Sequence, residues 1–134
     1  MGLIYLDSCL VIYLAEKHER WSPALADLMD PAKQDRYGIS PLVKCECLVG
    51  PIKRADPVLR HAYIRLFDDF LSFDMTEAVF LRAAELRASH GLKTQDALHL
   101  ACAQHHRCDE LWTHDDRLTR GSRGMARNIL AGDQ

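Results

Sequence analysis

Short apolar runs alternate with longer amphipathic stretches along the chain. Gly2–Leu6 is apolar, too short for a helix, and ends at Asp7, so it reads as a buried strand. Asp7 or Ser8 then caps a helix that reaches about Ala15. Ser22 and Pro23 make an N-cap and first-turn pair for a second helix, closed by Pro31. Tyr37–Ser40 reads as a strand. Ser40 and Pro41 open a third helix, which Gly50 and Pro51 end. After Asp56 and Pro57, residues Val58, Leu59, Ala62, Tyr63, Leu66, Phe67, Phe70 and Leu71 form one helical stripe. Ser72–Met75 predicts a short strand. Thr76 caps a helix to His90, with Gly91 as its left-handed stop. Thr94 caps the next, from Gln95 to about His106. Glu110–Thr113 is a strand centred on Leu111 and Trp112, and Met125–Leu130 a weak last one.

Strands alternating with helices predict an α/β layer structure around a mainly parallel sheet. No linker divides the 134 residues, which are expected to form one domain over 1–134. The apolar share, 48%, excludes disorder, and the lack of a repeat excludes collagen and coiled coils. Seventeen Lys and Arg against 19 Asp and Glu leave a net charge of −2, too little for a broad nucleic-acid-coating surface. A nucleic-acid enzyme stays open, because a bound cation supplies local positive charge. The five cysteines form no regular framework and fit reduced thiols in the cytoplasm. The opening apolar run has no basic leader and is broken by Asp7, which predicts neither a signal peptide nor a membrane span.

The informative residues are acids where core residues are expected. Asp7 ends the first strand, the place where open parallel sheets bind ligands, and equally suits a helix N-cap. Glu46 shares a helical face with Leu42 and Val49; Lys44 and Lys53 are its alternative surface partners. Asp96 suits the dipole of a helix first turn, yet shares a face with Leu100 and Ala103. Asp115 and Asp116 follow the Glu110–Thr113 strand, where acids also serve turns. A parallel sheet can bring these acids to one edge. Clustered carboxylates repel one another, and Mg²⁺ or Mn²⁺ relieves the repulsion with oxygen ligands. Such a pocket suits hydrolysis of a phosphodiester.

In this order the acids resemble the PIN domain, and within it the VapC toxin ribonucleases of VapBC toxin–antitoxin systems. Ile4-Tyr5-Leu6-Asp7-Ser8 is similar to the family's first motif, and Val43-Lys44-Cys45-Glu46-Cys47 to its glutamate helix. Ala84-Glu85-Leu86-Arg87, with the segment from Gly91 through Asp96-Ala97-Leu98-His99 to Ala101, is the most specific part. Trp112-Thr113-His114-Asp115 resembles the closing motif; His114 stands where Asn is frequent, and Asp116 doubles the acid. The resemblance implies a three-layer α/β/α domain with a central, mainly parallel twisted sheet. It implies an Mg²⁺- or Mn²⁺-dependent endoribonuclease with catalytic acids Asp7, Glu46, Asp96 and Asp115. Asp7 and Asp96 would be direct metal ligands, with Glu46 and Asp115 direct or water-linked. Thr113 and Asp116 would be supporting residues. Water would attack an RNA phosphodiester and leave a 5′-phosphate and a 3′-hydroxyl. The reading places no Lys or His base at a motif position. The resemblance also implies a VapB-like antitoxin, homodimers, and larger assemblies with antitoxin.

Three further patterns remain. His99, Cys102, His106 and Cys108 offer zinc-ligand types without the spacing of a known zinc module, so helix packing competes with that reading. Arg117, Arg120, Arg123 and Arg127 face only Asp133 near the end, which makes Arg117 and Arg120 candidates for RNA phosphates. Trp21 and Leu25 are candidate antitoxin anchors, with core packing as the alternative. Other functions compatible with the acids are a non-toxin RNA-processing nuclease and a silent PIN module that binds RNA or protein. A phosphoacceptor domain would need a late Lys, and none follows Lys93.

Overall fold

The computed structural model describes residues 1–131; Asp133, counted above against the arginines, lies outside them. The strands are β1 (Leu3–Leu6), β2 (Arg36–Ile39), β3 (Leu71–Ser72), β4 (Glu110–Thr113) and β5 (Ala126–Asn128). The helices are α1 (Ser8–Ala15), α2 (Trp21–Leu28), α3 (Pro41–Lys53), α4 (Pro57–Phe67), α5 (Glu77–His90), α6 (Thr94–His105) and α7 (Asp116–Gly121). A short 3₁₀ turn covers Pro31–Lys33. All strand pairs are parallel, in the order β3-β2-β1-β4-β5, and helices cover both faces of the sheet. This is the three-layer α/β/α arrangement that the family resemblance implied, and it fits the α/β layering with a parallel sheet that the alternation of elements predicted.

The strand order places the topological switch between β1 and β4. One chain direction builds outward through β2 and β3, and the other through β4 and β5. A crevice opens at the carboxyl ends of strands at such a point. Register makes this local: Leu6 pairs with Trp112, so Asp7 and Thr113 leave the sheet side by side. Ile4, Tyr5 and Leu6 are buried on both faces of the sheet, as a central parallel strand requires.

Close approach sets one position in β2. A Cβ on Gly38 would lie 2.3 Å from Phe73 Cε2, so only glycine lets that ring cross the strand. The Phe73 ring then stacks on Tyr5 at 5.9 Å between centroids. Gly91 adopts φ +68° and ends α5 in the left-handed conformation that its sequence position predicts.

Several boundaries move. Helix α2 starts at Trp21, because His18 Nδ1 accepts from the backbone N–H groups of Arg20 and Trp21; Ser22 therefore lies inside the first turn. Helix α3 runs through Gly50 and Pro51 to Lys53. Pro51 is buried, and its missing N–H falls in the last turns, while Gly50 O accepts from both Arg54 N and Arg54 Nε. Lys93, in extended backbone, precedes α6, so Thr94 is its first residue rather than its cap. The third strand is Leu71–Ser72 instead of Ser72–Met75, and the last shortens to Ala126–Asn128. Helix α7 has no counterpart in the sequence reading. It forms because the Asp115 side chain accepts from Arg117 N. Leu25 is fully buried in the core, which corrects its reading as a surface anchor for a partner.

Candidate active site

Asp7 occupies both roles that its position offered. Its Oδ1 accepts from Ser8 N at 2.8 Å and caps α1, while the carboxylate stays in the crevice beyond β1. Thr113, buried at the end of β4, donates from Oγ1 to Asp7 Oδ2 at 2.7 Å. The same Thr113 oxygen accepts from Asp115 N at 3.0 Å, so one hydroxyl orients two acids. Asp115 in turn caps α7.

An open depression of about 240 Å³ is lined by Asp7, Ser8, Cys9, Tyr13, Glu46, Asp96, His99, His114 and Asp115. The four acids singled out in the sequence thus share one crevice, although they come from four different elements. Asp116 does not line it: its carboxylate accepts from Asn128 Nδ2 at 2.7 Å and faces β5. Glu46 meets neither Lys44 nor Lys53. Its Oε1 accepts from His99 Nε2 at 2.7 Å, and Lys44 Nζ instead donates to Ser72 Oγ.

The sequence reading missed His99 as a site residue. It lies one turn after Asp96 on α6, which is the signal that could have found it. Its Nε2 faces only carboxylates, Glu46 at 2.7 Å and Asp7 Oδ1 at 3.5 Å, and therefore carries a proton. On its other side Nδ1 lies 2.7 Å from Tyr5 Oη, which lies 2.6 Å from Ser40 Oγ. Ser40 also caps α3 by accepting from Val43 N.

The electrostatics follow from crowding. Burial raises the Asp96 carboxyl above its ordinary value, and the neighbouring charges of Asp115 and Asp7 raise it further. Burial opposes the His99 imidazolium, but the Glu46 hydrogen bond and the charges of Asp7, Glu46 and Asp96 outweigh it and hold His99 above its usual range. Burial, then the Asp7 charge, pushes the Cys9 thiol up to about 12.

Among the described residues, Asp7, Glu46 and His99 form the group with metal-ligating atoms within 4.8 Å of one another. Both Asp7 oxygens and Glu46 Oε1 accept hydrogen bonds and still keep lone pairs free. Because His99 Nε2 carries its proton toward Glu46 and Nδ1 meets Tyr5, the carboxylates are the ligands on offer, and oxygen donors suit a hard divalent cation. The zinc alternative has no such geometry. His106 Nε2 and Cys102 Sγ both turn to Asp74 O, and among the described residues neither groups with His99 as a metal-ligating set. Arg117 and Arg120 line a second depression with Lys93, and Asp96 belongs to both. Trp21 packs edge-on against His114, with ring centroids 4.7 Å apart.

Comparison with known proteins gives a consistent picture of the fold. A chain of a toxin–antitoxin complex from Klebsiella pneumoniae superposes with a TM-score of 0.76 at 24% identity, covering 94% of this chain and 97% of that one. VapBC2 from Rickettsia felis bound to a promoter DNA fragment gives 0.75 at 18%, covering 93% and 97%. Mycobacterium tuberculosis VapC20, a toxin that cleaves the sarcin–ricin loop, gives 0.69 at 16%, covering 87% and 93%. No curated protein sequence matches the chain. The sequence pattern of the PIN domain matches residues 4–123, so the chain belongs to the PIN domain family.

Proposed function

We propose that this PIN domain is a metal-dependent endoribonuclease and the toxin of a type II toxin–antitoxin module. The observation that carries the reading is the crevice itself: four carboxylates beyond a topological switch, one of them, Asp96, held above its ordinary pKa by burial and by its acidic neighbours. A cation-free pocket of this kind repels a phosphodiester, whereas a cation offsets both the crowding and the substrate charge.

Asp7 and Asp96 would hold Mg²⁺ or Mn²⁺ directly, with Glu46 and Asp115 direct or water-linked. Bound there, the cation supplies Lewis-acid stabilisation at phosphoryl oxygens and makes water a better nucleophile. Thr113 keeps Asp7 and Asp115 in place. His99 fixes one oxygen of Glu46 and leaves the other available. Water oxygen joins phosphorus, the bond from phosphorus to the 3′-oxygen breaks, and the 3′-hydroxyl leaves protonated, with phosphate on the 5′ side. Arg117, Arg120 and Lys93 would hold neighbouring phosphates beside Asp96. The partner is a VapB-like antitoxin, in keeping with relatives solved as VapBC complexes, and the protomer would pair as a homodimer. No described helix is long and apolar enough to cross a membrane. The proposed site of action, where RNA and a VapB-like antitoxin would meet the chain, is the cytoplasm.

The test is cleavage of RNA by wild type with Mg²⁺, with EDTA, and by Asp7→Asn. Cleavage lost in both latter cases supports the reading, and undiminished cleavage by Asp7→Asn overturns it. Expression in cells separates a toxin from an RNA-processing enzyme: growth arrest by wild type but not by Asp96→Asn is expected, and equal toxicity from both sinks the toxin assignment.

A further inference from the structure

One ring cluster borders the acid crevice and is not used by the chemistry above. Tyr13 comes from the second half of α1, and His114 stands between Thr113 and Asp115; both line the same depression as the acids. Tyr13 Oη and His114 Nδ1 lie 2.8 Å apart, and the two rings meet edge to face at 5.7 Å. Trp21 abuts His114 at 4.7 Å, also edge to face, and the Arg20 guanidinium lies 4.2 Å over the Trp21 ring. The rings are therefore held from several sides, so an incoming planar group meets a surface already ordered.

We infer that Tyr13 and His114 form a nucleobase-stacking subsite, seating a base next to the phosphate that is cut. The inference rests on the RNA-cleaving reading of the pocket and names how that pocket grips its substrate. Three observations carry it. The rings are only half-buried, so they present surface to the crevice as well as to the core. The His114 Nδ1 is committed to Tyr13, and its Nε2, with no protein partner among the described residues, remains for a base edge. The rest of the pocket wall is four carboxylates with Ser8, Cys9 and His99, an acidic surface that gives an RNA strand little attraction of its own, whereas every base has a π-face that stacks without regard to charge. Single-stranded RNA is gripped in this way by aromatic and imidazole rings. On the far side of Asp96, Lys93, Arg117 and Arg120 meet the backbone. The strand is then held by a base on one side of the acids and by phosphates on the other.

The experiment uses the full chain with Ca²⁺ in place of Mg²⁺, so that the acid pocket is neutralised and binding is read without cleavage. The probes are a labelled oligoadenylate of about twelve nucleotides and an abasic ribose-phosphate strand of equal length and charge. Wild type is expected to bind the oligoadenylate about tenfold tighter than the abasic strand, within the range stacking supplies. His114→Ala should erase that preference, and His114→Phe, which keeps a ring, should restore it. Equal binding of both probes by wild type overturns the subsite. So does a preference that survives His114→Ala, which would leave the rings to packing or to a protein partner. Cleavage of RNA in Mg²⁺ is measured in parallel. Base-dependent binding without cleavage would sink the nuclease reading and keep the subsite, while cleavage without base dependence would do the reverse.

Discussion

His99 Nε2 donates a 2.7 Å hydrogen bond to Glu46 Oε1, tying α6 to the middle of α3 across the acid crevice. The bond explains how a glutamate on an otherwise apolar helix face is tolerated. Its charge is shared with an imidazole whose far nitrogen is fixed by Tyr5, a residue of the central strand. The sheet core thereby sets the position of a site carboxylate through two intervening side chains.

Tyr5→Phe removes the oxygen between His99 Nδ1 and Ser40 Oγ. The substitution leaves a buried ring nitrogen without its partner, at a cost of about 1–3 kcal/mol. Removing such orienting partners typically lowers activity about 10–100-fold. Urea melts and the turnover of an RNA substrate check the two effects separately, and a variant with wild-type turnover would show that His99 needs no such support.

Mn²⁺ should raise the melting temperature of the wild type. A ligand at about a hundred times its Kd stabilises by about 2.7 kcal/mol, several degrees for a domain of this size. Asp96→Asn relieves the crowding with Asp115 and Asp7, so it should melt at or above wild type without metal and respond less to Mn²⁺. Differential scanning fluorimetry with and without EDTA reads both.

Charge reversal at Arg117 and Arg120 should weaken RNA binding and flatten its salt dependence. For single strands, each phosphate that the protein no longer neutralises lowers the slope of log affinity against log salt by about 0.7. Titrations at several salt concentrations would detect this. An unchanged slope would make these arginines ordinary solvated surface.

Gly38→Ala should destabilise by about 1–3 kcal/mol, the usual cost of forcing an atom into a packed core. The added methyl must displace Phe73, which stacks on Tyr5, so cleavage should fall along with stability. Denaturant midpoints and activity measured on the same preparation test the coupling.

Thiol labelling should distinguish the five cysteines. Cys45 is exposed, whereas Cys47 and Cys102 are buried, and burial first of all pushes both up to about 12. Since the thiolate is the reactive form, Cys45 should be the one that reacts rapidly with a disulfide reagent near pH ~8 in the native protein. All of them should react in denaturant. Rapid modification of Cys47 without unfolding would contradict the packing of α3.

Local signals carried much of the architecture. Asp7, Ser40 and Asp56 cap helices through their side chains, and Gly91 ends α5, each within a few residues of the element it controls. The same signals misled where a neighbouring side chain or tertiary burial intervened. His18 starts α2 before Ser22, and burial of Pro51 lets α3 continue past a Gly-Pro pair. The choice of Asp115 over Asp116 rested on the alignment of Trp112-Thr113-His114-Asp115 with the closing motif of the family it resembles. The structure adds a reason at longer range, since Asn128 of β5 takes the Asp116 carboxylate. Leu25 and Trp21 share a short amphipathic helix, and periodicity alone cannot say that one is sealed in the core while the other packs beside the crevice.

By itself the sequence determined the alternation of strands and helices and the expectation of a mainly parallel sheet, and the family resemblance picked out Asp7, Glu46, Asp96 and Asp115 among its acids. Periodicity, capping and residue chemistry act over a few positions and are written locally. Spacing from Asp96 makes His99 a candidate, and tertiary packing chose it over Leu100 and Ala103 as the site-facing residue of α6. It also decided that Glu46 is paired with an imidazole, and that Tyr13 and His114 meet beside the acids. These pairings join residues 53 and 101 positions apart. They arise from how helices pack against a sheet whose register brings Leu6 beside Trp112, a relation that no local pattern encodes.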